Sequence, residues 1–480
     1  MRKFLFYILF IFVIHISTPV FCQIPSSERE ALIALYNSTN GDKWNITSGW
    51  KTPPLHSDGF AMPGTEGNWF GVTLSENHVS QIVLRENGLI GNIPLEIENV
   101  NYLEYLYLAY NELSGNIPSH LGNLKNLNAL NLSFNKLSGS IPSQLGNLIK
   151  LEFLDMSFNK LNGEIPSEFG NLLRMKELYL HKNELSGFIP SQLGNLSNLN
   201  CLFLRDNKLT GEIPKTLGHL TNLEYLWLCY NQLDGTIPIE LGSITNLKSL
   251  RLEYNRIKGS IPIELGKLKN LEEIWLMNNL LNGSIPAQIG NLSNLYSLRF
   301  ENNQLSGRIP VEFENLTRLS ELRINNNRLS GEIPSQLCNI KKLKTLCLSN
   351  NQISGEIPSQ LNLLSNLEFL DLSKNLLTGI IPQELGNLRY LKYMNLSENK
   401  LTGSIPKQIG NLKELDTCIL SHNQLNGIIP ADIGKLKNIT FLDISYNSLS
   451  ATNSTLRKWL NKRNPDWEIT QNSNEQKSKK

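Results

Sequence analysis

The sequence predicts an α/β solenoid in which short parallel β-strands stack through consecutive repeats, with a cap at each end. Glycine recurs every 24 residues from Gly91 to Gly427 without insertion or deletion, and a proline follows each glycine three residues later. An asparagine precedes each glycine by four residues, from Asn87 to Asn423, and Asn447 adds a sixteenth. A fixed period of this length is typical of a solenoid whose repeats contact only their neighbours.

Residues 1–22 have the features of a secretory signal. A basic start, Arg2-Lys3, precedes an apolar run over residues 4–16. That run is shorter than the roughly 17–25 residues that span a bilayer, and small residues then permit cleavage before Gln23. The alternative is an uncleaved anchor. No later stretch is apolar for long enough to cross a membrane, so the sequence predicts a secreted protein, with the cell surface as a second location.

Residues 23–76 predict an N-terminal cap, which a repeat protein needs to cover the open end of its core. Ser27 and Glu30 have the spacing of a capping box at the start of a helix. An apolar helical face and four large apolar residues could then close the core: Ala31, Leu32, Leu35, Tyr36, Trp44, Trp50, Trp69 and Val72.

Residues 77–450 predict about 16 repeats, and residues 127–148 (LNALNLSFNKLSGSIPSQLGNL) show their pattern. Two central leucines alternate with small or polar residues, which indicates a short strand with its leucines facing inward. Asn135 ends the strand, and stacked asparagines can pair with the backbone groups that the turn would leave unpaired. Gly139 permits a turn that a Cβ would hinder, and Pro142 suits an extended edge or the start of a helical turn.

Residues 451–480 predict a C-terminal cap and tail. Residues 455–462 predict a short helix that Pro465 ends, followed by a polar, mobile tail. Three side chains of this helix should face the last repeat: Leu456, Trp459 and Leu460.

The motif Asn-x-Leu-x-Gly-x-Ile-Pro, as in NKLSGSIP at residues 135–142, resembles the plant-type 24-residue leucine-rich repeat family. This resemblance implies a curved superhelix with a concave parallel β-sheet, a second short sheet and convex 3₁₀ turns. The segment NWFGVT at residues 68–73 resembles the family's N-terminal cap, although Gly67 and Leu74 stand where plant versions usually have cysteines. The chain is similar to the ectodomains of plant receptors, without a kinase, and more so to disulfide-free secreted versions from bacteria and protists.

Composition and motifs exclude several classes of function. The formal charge is +2, from 45 basic and 43 acidic residues, which argues against a nucleic-acid partner. Five cysteines follow residue 22, and this odd number argues against a disulfide framework. Because no metal-binding, cofactor-binding or catalytic motif is present, the sequence predicts no cofactor and no enzyme activity.

The candidate ligand-binding surface is the concave face of the middle repeats. The stacked asparagines that end the strands are here called the ladder asparagines. In each repeat, the residues six, four, two and one positions before the ladder asparagine should point to the concave face. Many repeats carry serine two positions before the asparagine, as at Ser133 and Ser397. The middle repeats instead carry large aromatic and arginine residues, which form the predicted site: Tyr179, Phe203, Tyr225, Trp227, Arg251, Trp275, Arg299 and Arg323. Two neighbouring columns contain His181, Arg205, Cys229, Glu253, Met277 and Glu301, and Asn278, Asn302, Asn326 and Asn350.

Aromatic and arginine side chains dominate binding hot spots, so the sequence predicts a non-enzymatic recognition protein for a protein, peptide or glycan ligand. The rings could stack on sugars or apolar side chains, and the arginines could hold carboxylates. One alternative is a surface scaffold or adhesion protein, in which these residues only stabilise one another across strands, with Trp275 between Arg251 and Arg299. A second is a polysaccharide-acting enzyme, which would need paired carboxylates without ion-pair partners.

Overall fold

The computed structural model describes residues 23–471, which form a curved solenoid of stacked repeats, as predicted. The predicted signal, residues 1–22, lies outside the described residues, as does the end of the tail, residues 472–480. Within the described part of the chain, no helix combines the length and apolar character that a membrane span requires.

The concave face is a 17-stranded sheet. Its first two strands form an antiparallel hairpin, and every later strand is parallel to its neighbour, with residues 24 apart in register. The first strand belongs to the N-terminal cap, and each later strand comes from one repeat: Val72–Ser75, His78–Val83, Tyr105–Tyr107, Ala129–Asn131, Phe153–Asp155, Glu177–Tyr179, Cys201–Phe203, Tyr225–Trp227, Ser249–Arg251, Glu273–Trp275, Ser297–Arg299, Glu321–Arg323, Thr345–Cys347, Phe369–Asp371, Tyr393–Asn395, Thr417–Ile419 and Phe441–Asp443.

A second row of short parallel strands follows the ladder asparagines. The repeat glycine lies in or beside these strands with a positive φ, +74° at Gly139, where a Cβ would lie 2.4 Å from the side chain of Asn116. The strands are Ile90–Gly91, Glu112–Asn116, Lys136–Ser140, Lys160–Gly163, Glu184–Leu185, Thr210–Glu212, Gln232–Asp234, Lys258–Gly259, Leu280–Leu281, Ser306–Gly307, Arg328–Gly331, Gln352–Glu356, Leu376–Thr378, Asn426–Ile428 and Ser448–Ser450.

The convex side consists of 3₁₀ helices, each with the repeat proline at its N-cap, and two further 3₁₀ helices lie in the N-terminal cap. They pack side by side, and in most repeats a glycine lies at the contact: a Cβ on Gly146 would lie 2.5 Å from Glu168. The helices are Gly41–Lys43, Glu66–Asn68, Leu95–Asn99, Ser119–Asn123, Ser143–Asn147, Ser167–Asn171, Ser191–Asn195, Lys215–His219, Ile239–Ser243, Ile263–Lys267, Ala287–Asn291, Val311–Asn315, Ser335–Asn339, Ser359–Leu363, Gln383–Asn387, Lys407–Asn411 and Ala431–Lys435.

The predicted asparagine ladder is confirmed. Asn255 accepts a hydrogen bond from the backbone N–H of Leu233 at 2.9 Å. Its amide nitrogen donates to the carbonyl oxygens of Leu228 and Leu252 at 3.1 and 3.0 Å. The equivalent bonds recur at the other ladder positions, for example at Asn135 and Asn423. Each asparagine therefore joins the turn of the preceding repeat to its own strand.

One continuous core of leucine and isoleucine side chains runs through all repeats between the concave sheet and the 3₁₀ helices. The five cysteines in the described part of the chain are free, as predicted. Cys418 occupies a leucine position in the core and is buried.

The N-terminal cap begins with helix Ser26–Ser38. The predicted capping box is wrong: Pro25 is the N-cap residue, and no side chain caps the helix. Glu28 instead accepts hydrogen bonds from the backbone N–H of Val79 at 2.7 Å and from the ring of His78 at 2.6 Å, which ties the helix to the first repeat. The cap residues predicted to close the core are buried, and their aromatic rings pack together: Ala31, Leu32, Leu35, Tyr36, Trp44, Trp50, Trp69 and Val72.

The C-terminal cap contains helix Ser454–Arg463, with Leu456 and Leu460 buried and Trp459 half-buried, as predicted. The prediction that a mobile tail starts at Pro465 is wrong for the described residues. Trp467 is fully buried. Gln471 lies 24 residues after Asn447 and accepts a hydrogen bond from the backbone N–H of Leu449 at 2.9 Å. A glutamine therefore supplies the last rung of the asparagine ladder.

Candidate functional site

Seven of the predicted site residues form one column on the concave sheet. The strand pairing places each opposite the next, at about 4.8 Å between strands, in the order Tyr179, Phe203, Trp227, Arg251, Trp275, Arg299 and Arg323. All seven are half-buried. The residue before each of them in the strand is an inward-facing leucine or isoleucine. The alternation of inward and outward residues therefore places all seven side chains on the concave face.

The centre of the column is a stack of rings and guanidinium groups. The rings of Phe203 and Trp227 are parallel, with centroids 4.1 Å apart and planes inclined by 4°. The guanidinium carbon of Arg251 lies 4.4 Å from the ring centroid of Trp227 and 3.8 Å from that of Trp275. Arg299 covers the other face of Trp275 at 5.1 Å. Trp275 therefore lies between two arginines, as the scaffold alternative predicts, and each cation contacts an electron-rich ring face.

Carboxylates neutralise the arginines of the stack. Arg251 donates two hydrogen bonds to Glu273, both 2.9 Å, in a bidentate pair. Arg299 pairs with Glu301 and Arg323 with Glu321. These arginines already have carboxylate partners, which reduces their capacity to hold a carboxylate of a ligand.

The indole nitrogens of the two tryptophans are also occupied within the site. Trp227 donates to the hydroxyl of Ser249 at 2.8 Å, and Trp275 donates to that of Ser297 at 3.0 Å. Because these bonds fix the ring orientations, the tryptophan faces of the stack remain aligned with the arginines.

Burial determines the charge of two groups beside the stack. Glu253 has no ion-pair partner among residues 23–471, and burial raises the pKa of its carboxyl group, which favours the neutral form. Burial also lowers the pKa of His181 to about 4, with a contribution from the nearby Arg205, so the imidazole is neutral at neutral pH.

Two predicted residues lie at the margin of the site. Tyr225 is half-buried on the neighbouring column, and burial raises the pKa of its hydroxyl group. Arg323 pairs with Glu321 and lies 5.5 Å from the ring centroid of Phe369, whose ring is parallel to that of Tyr393. Neither residue joins the central stack.

The structure adds four residues that sequence reasoning missed. The rings of Tyr110, Phe134 and Phe158 are parallel, with centroids 4.2 and 4.0 Å apart, and Arg85 lies 4.6 Å from the first ring. Phe158 contacts the edge of the His181 ring at 5.3 Å. The three aromatic residues occupy the position directly before the ladder asparagine in consecutive repeats, and this pattern in the sequence could have revealed them.

The two stacks join into one surface, here called the aromatic band. His181 connects them, because its ring centroid lies 5.3 Å from that of Phe158 and 6.0 Å from that of Phe203. The band crosses the sheet obliquely through ten consecutive repeats, with one residue from each: Arg85, Tyr110, Phe134, Phe158, His181, Phe203, Trp227, Arg251, Trp275 and Arg299.

The aromatic residues at the start of the band adopt a conformation that bulky side chains rarely take. Tyr110, Phe134 and Phe158 have φ values of 57°, 52° and 53°, in the left-handed region. Asparagine tolerates this region better, and four later repeats carry it at the same position. Their side chains form a hydrogen-bonded row from Asn278 to Asn350, with bonds of 2.9, 2.6 and 2.8 Å. Aromatic residues at this position therefore carry a backbone cost that asparagine would reduce.

The fold and the motif spacing define a leucine-rich repeat solenoid. A family model described as a leucine-rich repeat region matches residues 134–260 and 229–358, and a second, described as leucine rich repeat, matches residues 101–161, 341–401 and 390–449. The chain therefore belongs to the leucine-rich repeat family.

Solved structures of two kinds are similar to the chain. A TDR receptor is 36% identical with a TM-score of 0.73, over 76% of this chain and 64% of the receptor chain. The ectodomain of the Arabidopsis receptor kinase HAESA, solved with an IDA peptide hormone ligand, is 32% identical with a TM-score of 0.62, over 90% and 80% of the two chains. A leucine-rich repeat protein of Leptospira interrogans is 34% identical with a TM-score of 0.62, over 77% and 90%. A search of curated proteins gave no match.

Proposed function

We propose that this chain is a secreted, non-enzymatic recognition protein that binds an extended polypeptide along the aromatic band. The observation that carries the proposal is the continuity of the band across ten repeats, from Arg85 to Arg299. Nine steps of about 4.8 Å give a path of about 43 Å, which an extended peptide of about 13 residues would cover at about 3.3 Å per residue.

The orientation of the rings favours a polypeptide over a glycan. Sugar rings bind aromatic side chains through an exposed ring face. In the band those faces are covered: Phe203 lies against Trp227, and Trp275 lies between Arg251 and Arg299. Stacked rings present their edges to a ligand, and edges suit contacts with apolar side chains and peptide carbonyl groups. The stacking of sugars on these rings, an expectation from sequence, is therefore disfavoured.

The solved relatives support the same class of ligand. HAESA was crystallised with a peptide hormone, and the plant peptide hormone receptor RGFR1, 32% identical with a TM-score of 0.55, with RGF2. Secretion is part of the proposal and is supported by the basic and apolar pattern of residues 1–22.

The test is selection of binders from a library of random 15-residue peptides, followed by calorimetry with the selected peptide. We expect Trp227→Ala and Trp275→Ala each to cost about 2 kcal/mol or more of binding free energy, as truncated aromatic hot spots do. Phe134→Ala should weaken binding as well, because it interrupts the band. Ser397→Ala, on a repeat outside the band, is the matched control and should leave affinity unchanged.

The scaffold alternative gives a different outcome. If the stack only joins neighbouring strands, the selection will give no peptide that binds saturably. Trp275→Ala will then lower the melting temperature and have no effect on binding to measure. Equal affinity of all four variants for a selected peptide would also exclude the aromatic band as the binding site.

A further inference from the structure

A second surface departs from the repeat pattern on the opposite side of the solenoid. The residue directly after the repeat proline begins each 3₁₀ helix of the repeats and is exposed in nearly all of them. In many repeats it is serine: Ser119, Ser143, Ser167, Ser191, Ser335 and Ser359. Four consecutive middle repeats carry apolar residues there instead, here called the apolar strip: Ile239, Ile263, Ala287 and Val311.

The apolar strip is a solvent-exposed row. Ile239, Ile263 and Val311 are 57%, 56% and 47% exposed, and they lie on helices that pack side by side. Most other repeats carry serine, lysine or glutamine at this position, and a contiguous row of exposed aliphatic side chains on a soluble protein often marks an interaction site.

The apolar strip contains a surface depression. A depression of about 620 Å³ lies over Ala287, where the side chain is small. Ile263, Ile285 and Pro286 line it together with polar residues, among them Ser284, Gln288, Arg308 and Glu312. The strip therefore offers room for one large apolar side chain.

Acidic groups border the strip. The next residue along the chain is glutamate in three of the four repeats, at Glu240, Glu264 and Glu312. Among residues 23–471, none of these carboxylates has an ion-pair partner. One carboxylate oxygen of Glu240, Oε2, is inaccessible to solvent and has no hydrogen-bond partner. That oxygen lies out of a partner's reach, but the other oxygens of these three unpaired carboxylates favour a partner that carries basic residues.

We propose that the apolar strip binds a basic amphipathic helix of a partner protein. One large apolar side chain of that helix fills the depression over Ala287, and its lysines or arginines face Glu240, Glu264 and Glu312. The spacing is compatible, because neighbouring strands lie about 4.8 Å apart, the outer side of a curved solenoid has a slightly larger spacing, and a helical turn rises about 5.4 Å. Four repeats span about 14 Å, close to three helical turns, and an apolar helix face in a groove is a common mode of recognition.

A second copy of the chain fits this surface less well. A stable interface needs about 800 Å² from each partner, which a strip about 14 Å long and one side chain wide does not supply. The acidic border would also face its own like charge across a two-fold axis. The site is separate from the aromatic band and does not depend on the function proposed for it.

The experiment uses three synthetic 18-residue peptides as probes. The first is a Leu/Lys amphipathic helix, the second has the same leucines with glutamate in place of lysine, and the third is a shuffled Leu/Lys sequence. Binding to residues 23–480 is measured by fluorescence anisotropy at physiological salt. We expect saturable binding of the first peptide and at least tenfold weaker binding of the other two.

Variants of the chain then locate the site. The triple variant Ile239→Ser, Ile263→Ser and Val311→Ser introduces the serine that other repeats carry, so its fold should be kept. It should lower affinity for the Leu/Lys peptide at least tenfold. Glu240→Gln with Glu264→Gln should also weaken binding and reduce its dependence on salt. The matched control is Ile149→Ser with Leu173→Ser, two residues that are 62% and 56% exposed elsewhere on the chain.

Three outcomes would overturn the proposal. The first is no saturable binding of the Leu/Lys peptide, and the second is equal binding of the shuffled peptide. The third is unchanged affinity of the triple variant. Concentration-dependent dimerisation in sedimentation experiments that the triple variant abolishes would instead identify a second copy as the occupant. Trp275→Ala should leave binding of the peptide unchanged, because that residue lies on the concave face.

Discussion

Replacement of Asn255 by alanine tests the asparagine ladder at the centre of the solenoid. The asparagine accepts from Leu233 N–H at 2.9 Å and donates to the carbonyl oxygens of Leu228 and Leu252 at 3.1 and 3.0 Å. Alanine removes these three bonds and a longer one, of 3.4 Å, to the carbonyl oxygen of Glu253, and it leaves the backbone groups in place. Each buried group left unpaired costs about 1–3 kcal/mol. Because Asn255 is half-buried and water can reach part of the gap, we expect a local loss of about 2–3 kcal/mol.

Hydrogen exchange at the Leu233 amide measures this loss directly. A loss of 2 kcal/mol corresponds to about 30-fold faster exchange, since 1.4 kcal/mol is tenfold. Repeats contact only their neighbours, so the effect should be confined to the adjacent repeats and should leave the Leu377 amide, which donates to Asn399 at 3.0 Å, protected.

The matched control is Asn222→Ala. Asn222 is exposed, and its amide donates one hydrogen bond, of 2.8 Å, to the carbonyl oxygen of Ser197. We expect an effect within about 0.5 kcal/mol, as for other surface substitutions. Unchanged protection of the Leu233 amide in Asn255→Ala would show that the ladder does not stabilise the turns, and the reasoning above would then be refuted.

Three further predictions concern other parts of the chain. Because burial lowers the pKa of His181 to about 4, unfolding takes up a proton below pH 6.5, so stability should fall between pH 6.5 and about 4; urea titrations of His181→Gln should show a shallower fall. Gln471→Ala should speed exchange at the Leu449 amide and leave central repeats unchanged, and equal exchange rates would show that the last rung has no structural role. The melting temperature should be the same with and without reductant, since the five cysteines are free, and a shift would reveal a disulfide.

The period of the sequence determined the repeat architecture. A 24-residue spacing without insertions fixes which residues stack, and the alternation within each strand fixes which of them face the concave surface. For this reason the ladder at Asn255 and the column from Tyr179 to Arg323 could both be predicted from residue positions alone.

Tertiary structure decided the contacts between columns. The step from Phe158 through His181 to Phe203 moves from one column to another, and only side-chain rotamers in three dimensions establish that these rings touch. The same holds for the covered ring faces that favour a polypeptide ligand.

The two ends of the solenoid also required the tertiary structure. Ser27 and Glu30 have the spacing of a capping box, but the helix begins after Pro25, and Glu28 bonds to the first repeat instead. Gln471 replaces an asparagine in the ladder because its longer side chain reaches the same backbone groups from a different backbone position. Sequence periodicity describes what identical repeats share. At the caps and the proposed binding surfaces the repeats stop being identical, so their contacts depend on packing between residues that no period relates.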